Sequence, residues 1–485
     1  MRQLLACAVI IILVAAPAVI SLRDSAPGRA LTEATGAPDS TTIVVDVHRV
    51  RAMSVAENVP DLYLSVAVNG AAVPTAGKSV YHGRDIWFED PAARSTISYD
   101  PDEAVTVELQ LWEQDALADR QCDISPCDGD GETAKTLTLS YDVRSGDWTG
   151  DDYLGDGDGS GHASGYGDGD EGQMDCEIWF DIYQQDDDSS PDRLTYWEKQ
   201  QRNLTLDRDY SQQDIDGDGV PTDWEDRWGY DPLTAETHAS LDPDMDGLTN
   251  VQEWNTSQWL SNPRAKDIFI EVDGMQGQHA WSQPYTFPET SQHMLRDAFV
   301  RHNITVHIDD GDMAGGGDLI PYREYMDGGD LRHARQTYFL NFPYTGSEWK
   351  RGVFHYALIC CQVDIGHRPA GGCAFAIDGH VIGGQYVKNW APMFLLQGSE
   401  YYRAFASVFM HELGHTLGLH GFEGIDNENS RFPWNKEFYE WAPYRSCMNY
   451  RYVYKVVDYS IGDDDDHDQD DWSTIDLTRF ARDDW

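Results

Sequence analysis

Ten residues constrain this chain more tightly than any others: His411-Glu412-Leu413-Gly414-His415-Thr416-Leu417-Gly418-Leu419-His420. His411 and His415 are four apart, so on a helix they lie one turn above each other on one face. Two imidazoles in that relation can hold one small cation from the same side. Glu412 sits one position round, where its carboxylate reaches a water at the metal without ligating the metal. Gly418 can take a left-handed backbone, which lets the helix stop and the chain turn. Set against the pattern H-E-x-x-H-x-x-G-x-x-H, the turn brings His420 back as a third nitrogen ligand. Three neutral imidazoles leave a fourth position open, as a catalytic zinc site requires.

On these residues the stretch resembles the metzincin clan of zinc metallopeptidases. That clan also carries a methionine turn below the metal, and Ser446-Cys447-Met448-Asn449-Tyr450 is similar to its astacin and serralysin form. The resemblance implies zinc on His411, His415 and His420, Glu412 as general base, Met448 as an apolar floor, and Tyr450 on the metal or the oxyanion. It further implies an endopeptidase whose partner is a protein or peptide substrate.

Acidic residues number 84 against 35 basic ones, a net charge of −49. Such a chain repels nucleic acid and anionic membranes. Carboxylates spread this evenly, with Lys scarce, suit a surface adapted to high salt, where their repulsion is screened. Met1 to Leu22 holds Arg2, an apolar run from Leu4, and Ala16-Pro17-Ala18 as a cleavage site. This reads as an export signal that is either cleaved or kept as a membrane anchor through residues 4–22, leaving the bulk of the chain extracellular or in the cell envelope. The eight cysteines of an exported chain suggest disulfides, with at least one thiol left over once Cys7 goes with the leader.

After a linker over 23–41, residues 42–190 change to short strands rich in β-branched and aromatic residues, which predicts a β-sandwich. Pro60 to Leu64 and Leu111 to Asp115 resemble pieces of C2 domains, a family whose loop aspartates bind calcium; Asp61 and Asp115 match loosely. An immunoglobulin-like sandwich with solvated aspartates is an equal reading. Gly150 to Gly172 is Gly- and Asp-rich low complexity.

Residues 191–262 carry D-x-D-x-D-G-x₅-E twice. Asp214, Asp216, Asp218 and Glu225, then Asp242, Asp244, Asp246 and Glu253, supply carboxylates at loop positions one, three, five and twelve. Val220 and Leu248 add a backbone carbonyl each at position seven. That donor set suits calcium. The pair resembles thrombospondin type 3 or dockerin-like repeats, which implies a rigid calcium-filled connector.

From 263 to 485 the order strand, helix, strand begins an α/β layer. Cys373 to Ile377 is a candidate edge strand, which the resemblance to the clan implies would pair with extended substrate. Ser399 is a candidate cap for the motif helix. His355, His367 and His380 are candidates to line the substrate cleft, with surface placement the favoured reading. The chain thus reads as multidomain: an N-terminal all-β sandwich, a short calcium-loop connector, and a C-terminal α+β metzincin-like domain with a twisted mixed sheet and an active-site helix. The rival reading is a calcium-dependent envelope adhesion protein with a peptidase-like domain that does not cut.

Overall fold

The structure, a computed structural model, describes residues 38–481 apart from 54–58, 76–79, 128–133, 152–159, 167–173, 187–191, 343–345, 365, 367, 391–398 and 463–465. The expected leader, most of the linker, much of the Gly/Asp-rich stretch and His367 lie outside the described residues. Among the described residues no helix is long and apolar enough to cross a membrane.

Twelve strands come first: β1 (Ser40–Ala52), β2 (Asp61–Val68), β3 (Ala71–Val73), β4 (Tyr81–His82), β5 (Asp85–Trp87), β6 (Ala93–Ser98), β7 (Val105–Glu113), β8 (Arg120–Cys122), β9 (Leu137–Tyr141), β10 (Trp148–Gly150), β11 (Gly161–Ser164) and β12 (Cys176–Gln185). They form two antiparallel sheets. One runs β11-β12-β1-β5, with β6 also on β1; the other runs β10-β9-β7-β2-β3, with β4 on β2 and β8 on β7. In β9 the side chains alternate strictly, Leu137, Leu139 and Tyr141 inward and Thr138 and Ser140 outward. That is the period-two pattern of a sheet with one wet face. β12 breaks the rule, because nearly every residue in it is buried. The connector packs on its second face.

That connector holds three short helices, α1 (Tyr196–Gln201), α2 (Thr222–Arg227) and α3 (Asn250–Thr256). Arg227 of α2 and Arg193 both pair with Asp181 on β12. Trp224, Trp228 and Val220 make a small apolar cluster of their own.

The C-terminal part begins with β13 (Lys266–Met275), α4 (Glu289–Val300) and β14 (Ile304–Asp309), in the expected order. β15 (Leu319–Ile320), α5 (Gly328–Ala334), β16 (Phe354–Cys360), a small hairpin of β17 (Val363–Asp364) and β18 (Pro369–Ala370), β19 (Gly372–Ala376), β20 (Gly379–Gly383), α6 (Gly384–Trp390), α7 (Ser399–Thr416) and α8 (Glu437–Glu440) come after them. The main sheet runs β14-β13-β16-β20-β19 and is parallel up to β20. β19 alone runs antiparallel, at the edge. α4 and α7 pack on one face of this sheet, where Leu295, Phe299, Phe405, Phe409 and Leu413 enter a continuous apolar core. Ser399 is the first helical residue of α7 rather than its cap, so the cap position falls outside the described residues.

A buried ion network joins the sandwich to this C-terminal part. Arg51 of β1 donates to Glu177 of β12 and to Asp297 of α4, both at 2.5 Å. Burial alone would push Glu177 up, but Arg51 and His162 hold it down at about 2.

Candidate functional site

α7 carries His411 and His415 on one face, with their rings 4.9 Å apart and edge to face. Each ring is aimed by a backbone carbonyl. His411 Nδ1 lies 2.9 Å from the Cys447 carbonyl, and His415 Nδ1 lies 2.8 Å from the Leu419 carbonyl. Those bonds put a proton on each Nδ1 and leave both Nε2 atoms facing outward, the orientation that metal-binding histidines use.

His420 does not join them, which corrects the expected third ligand. Only Leu419 separates Gly418 from His420, whereas the clan pattern has two residues there; the place of the third histidine is held by Gly421. Gly418 takes the left-handed turn at φ +97° as expected. In the chain that leaves it, Leu419 turns into the core and is fully buried. His420 is exposed, and Arg479 donates to its Nε2 at 2.8 Å. Asp426 stands where His420 was expected. Its Oδ1 is 3.1 Å from His411 Nε2 and its Oδ2 is 3.4 Å from His415 Nε2. Asp426 has φ +55°, and its N–H donates to the Met448 carbonyl. Burial would raise its carboxyl, but the two imidazoles hold it well below the usual carboxylate range.

Glu412 points from α7 toward β19. Its carboxylate accepts the Ala374 N–H, and burial raises its pKa against the pull of His411 and His415. Gly372 leaves the space for it: a Cβ there would lie 2.6 Å from Glu412 Cγ. Met448 is fully buried below α7, where a Cβ on Gly414 would meet its sulfur at 2.7 Å. Asn449 braces this turn by donating to the Trp441 and Tyr444 carbonyls and accepting from Ser430. Tyr450 stacks on His411 with ring centroids 5.6 Å apart, and the Arg431 guanidinium covers its ring. Burial, then Asp426 and Glu412, push its phenol up, so it stays protonated.

In the connector, Asp214, Asp216 and Asp218 gather at one point and Asp242, Asp244 and Asp246 at another. Gly219 and Gly247 hold position six with φ +108° and +98°. The glutamates at position twelve, Glu225 and Glu253, are buried beside them. Both Glu225 oxygens, both Asp216 oxygens and Glu253 Oε1 are buried without a hydrogen-bond partner. Unpartnered buried carboxylate oxygens are what a hard cation would satisfy, so these residues fit calcium. Val220 and Leu248 pack their side chains into apolar clusters. Two residues join that the spacing did not indicate. His238 closes on Asp218 and Glu225, and Asp267, the second residue of β13, closes on Asp246 and Glu253. The Asp267 N–H also donates to Asp246 Oδ2 at 2.8 Å.

Other expectations are corrected. His355 and His380 are fully buried beneath α7 rather than on the surface, and burial pushes both down to about 3. The seven described cysteines form no disulfide. Most are buried in apolar surroundings and behave as small hydrophobes. Asp61 pairs with His82 at 2.7 Å and belongs, like Asp115, to no carboxylate cluster among the described residues.

No family model and no curated protein matches the chain. Among solved structures it is similar to a C2 domain, at 12% identity over 29% of this chain and 97% of that one, TM-score 0.18. It is also similar to a C2 domain of plant extended synaptotagmin 1, at 10% identity over 30% of this chain and 96% of that one, TM-score 0.18. Human GIVD cytosolic phospholipase A2 is similar at 15% identity over 33% of this chain and 18% of that one, TM-score 0.20.

Proposed function

We propose that the chain is an exported zinc endopeptidase, calcium-stabilised and adapted to high salt. One observation carries the reading: two histidines one helical turn apart, each tied at Nδ1 to a backbone carbonyl, share a point with a carboxylate, while Glu412 waits beside an edge strand. Zinc, when bound there, supplies a Lewis acid that polarises a carbonyl and acidifies water to a pKa of about 7.

This chain's residues do the rest. β19 presents its outer edge to an extended peptide, which it would hold by backbone hydrogen bonds. Glu412 takes the proton of the attacking water on its carboxylate. Its raised pKa makes it a better acceptor, and the same carboxyl then delivers that proton to the leaving amine. Tyr450, kept protonated, is placed over His411 to donate to the developing oxyanion.

The test is casein cleavage in high salt with calcium present. Activity should vanish with a zinc-selective chelator and return on adding zinc. Glu412→Gln should keep zinc and lose roughly 10²–10⁴-fold in kcat. Cleavage that ignores both the chelator and the variant would remove the peptidase reading and leave the adhesion reading standing.

A further inference from the structure

We infer that the third protein ligand of this metal centre is the Asp426 carboxylate, giving a His-His-Asp set. The assignment rests on the peptidase reading only in placing a metal at His411 and His415.

The geometry is specific. Ligand atoms about 2.0–2.1 Å from a tetrahedral zinc stand roughly 3.3 Å from each other. Asp426 Oδ1 stands 3.1 Å from His411 Nε2 and Oδ2 stands 3.4 Å from His415 Nε2, each near that edge, and one ligand atom from each of the three side chains lies within 4.8 Å of the others. The backbone of Asp426 is also held in place. It sits in the left-handed region at φ +55°, which Asp tolerates better than most non-glycine residues. Its N–H is tied at 3.3 Å to Met448, the next residue after the one whose carbonyl orients His411. The same short turn therefore positions two of the three ligands. His420 is spoken for elsewhere: its Nε2, the nitrogen a metal would need, accepts from Arg479. Two neutral imidazoles and one carboxylate also carry one negative charge more than three imidazoles, which favours a divalent cation.

The experiment uses the full chain in excess calcium, so that the connector loops are occupied, after removing transition metal. Zinc binding is measured by competition with a chelating dye for the wild type, Asp426→Asn, Asp426→Glu and His420→Ala. Cobalt is then loaded for visible spectra, and X-ray absorption on the zinc-loaded wild type counts imidazoles from their outer-shell scattering. Asp426→Asn should lose at least about 100-fold in affinity, beyond the 10–100-fold cost of removing a partner that only orients a ligand. Asp426→Glu should bind zinc more tightly than Asp426→Asn and shift the cobalt spectrum. His420→Ala should bind within about threefold of the wild type, and absorption should count two imidazoles. The count needs no variant, so a misfolded Asp426→Asn does not blunt the test. Three imidazoles, or loss of zinc in His420→Ala with Asp426→Asn intact, would overturn the assignment. Zinc held by Asp426 without chelator-sensitive cleavage would support the ligand set and sink the peptidase reading instead.

Discussion

Gly372 is the sharpest lever on the proposed mechanism, because it touches the general base without touching a metal ligand. A Cβ at this position would lie 2.6 Å from Glu412 Cγ, 2.7 Å from Glu412 Oε1 and 2.7 Å from the Val381 carbonyl oxygen. Non-bonded carbons rest at about 3.5–4.0 Å, so Gly372→Ala creates an overlap of roughly 1 Å. The backbone cannot absorb it freely: Gly372 is in register with Ile382, and the Val381 oxygen is itself main chain. The side chain of Glu412 must give way. A general base works within about 2.6–3.2 Å of the proton it takes, and a displacement of about 1 Å can cost on the order of 10²-fold in rate. Gly372→Ala should therefore lower kcat/KM on a fluorogenic peptide by about 100-fold. Its overpacking penalty should be about 1–3 kcal/mol by urea unfolding. Zinc content should not change. Gly371→Ala is the matched control, since the nearest atom to its Cβ is the Tyr454 hydroxyl at 3.3 Å and the next stands at 3.6 Å. It should stay within about twofold of wild-type activity, because the side-chain hydroxyl it meets needs to give by only a few tenths of an ångström. A folded, zinc-loaded Gly372→Ala enzyme with wild-type kcat/KM would refute the seating of Glu412 against β19.

Asp297→Ala strips one of two carboxylates from Arg51, which is 1% exposed, and should cost about 3–5 kcal/mol in denaturant melts. Replacing Arg51, Glu177 and Asp297 together by apolar residues should restore most of that loss; a single variant as stable as wild type would contradict the buried network. His380 is buried with both ring nitrogens unpartnered and held at about 3 by burial and then by His355. Its folded pKa lies below the unfolded 6.5, so the neutral ring's contribution is complete above pH 6.5 and drains away as pH falls toward 3. At pH 4.5 the loss is about 3 kcal/mol. His380→Phe should flatten the fall in stability between pH 7.5 and 4.5, and an unchanged slope would show that this ring does not drive it. Removing calcium with a chelator should lower the melting temperature in molar KCl, with binding at about 1,000 times Kd worth about 4 kcal/mol. Identical calorimetric traces with and without calcium would mean that the two loops hold no cation.

Local periodicity made the strands and helices around the site legible. The alternation in β9 and the apolar side of α7, with Phe405, Val408, Phe409 and Leu413 buried, follow directly from side-chain spacing. The candidate edge strand over Cys373 to Ile377 matches β19, which lies at the edge of the main sheet. Asp426 was not, because it lies eleven residues beyond His415 in a loop with no period, brought back by a single hydrogen bond to the Met448 carbonyl. Counting from Gly418 to His420 would have raised doubt about His420, yet nothing in the spacing names its replacement. Asp267 and His238 were hidden for the same reason. Each lies outside its twelve-residue loop and reaches the carboxylates only through the fold. His355 and His380 were misplaced because a histidine inside an apolar run carries no mark of whether the run faces outward; both strands here lie inside the sheet, under α7.

The single residue missing between Gly418 and His420 has a consequence for the whole site. An extended chain turns successive side chains to opposite sides. Leaving the left-handed glycine, the first side chain, Leu419, faces the core and the second, His420, faces away. A histidine two residues past the glycine therefore cannot share a side with the residue just after the turn, while one placed a residue later could. The inward Leu419 is not idle, since its carbonyl is the group that aims His415. The short turn thus secures the second ligand while giving up the third, whose place is taken from the loop that ends on Met448. His411, His415 and Asp426 are then held by three main-chain groups, the carbonyls of Cys447, Leu419 and Met448. Main-chain anchors tolerate substitution of the side chains around them, so the ligand geometry depends on the path of the turn rather than on the identity of its residues. That is why the Ser430 and Trp441 contacts to Asn449, which brace this turn, matter to the proposed metal centre.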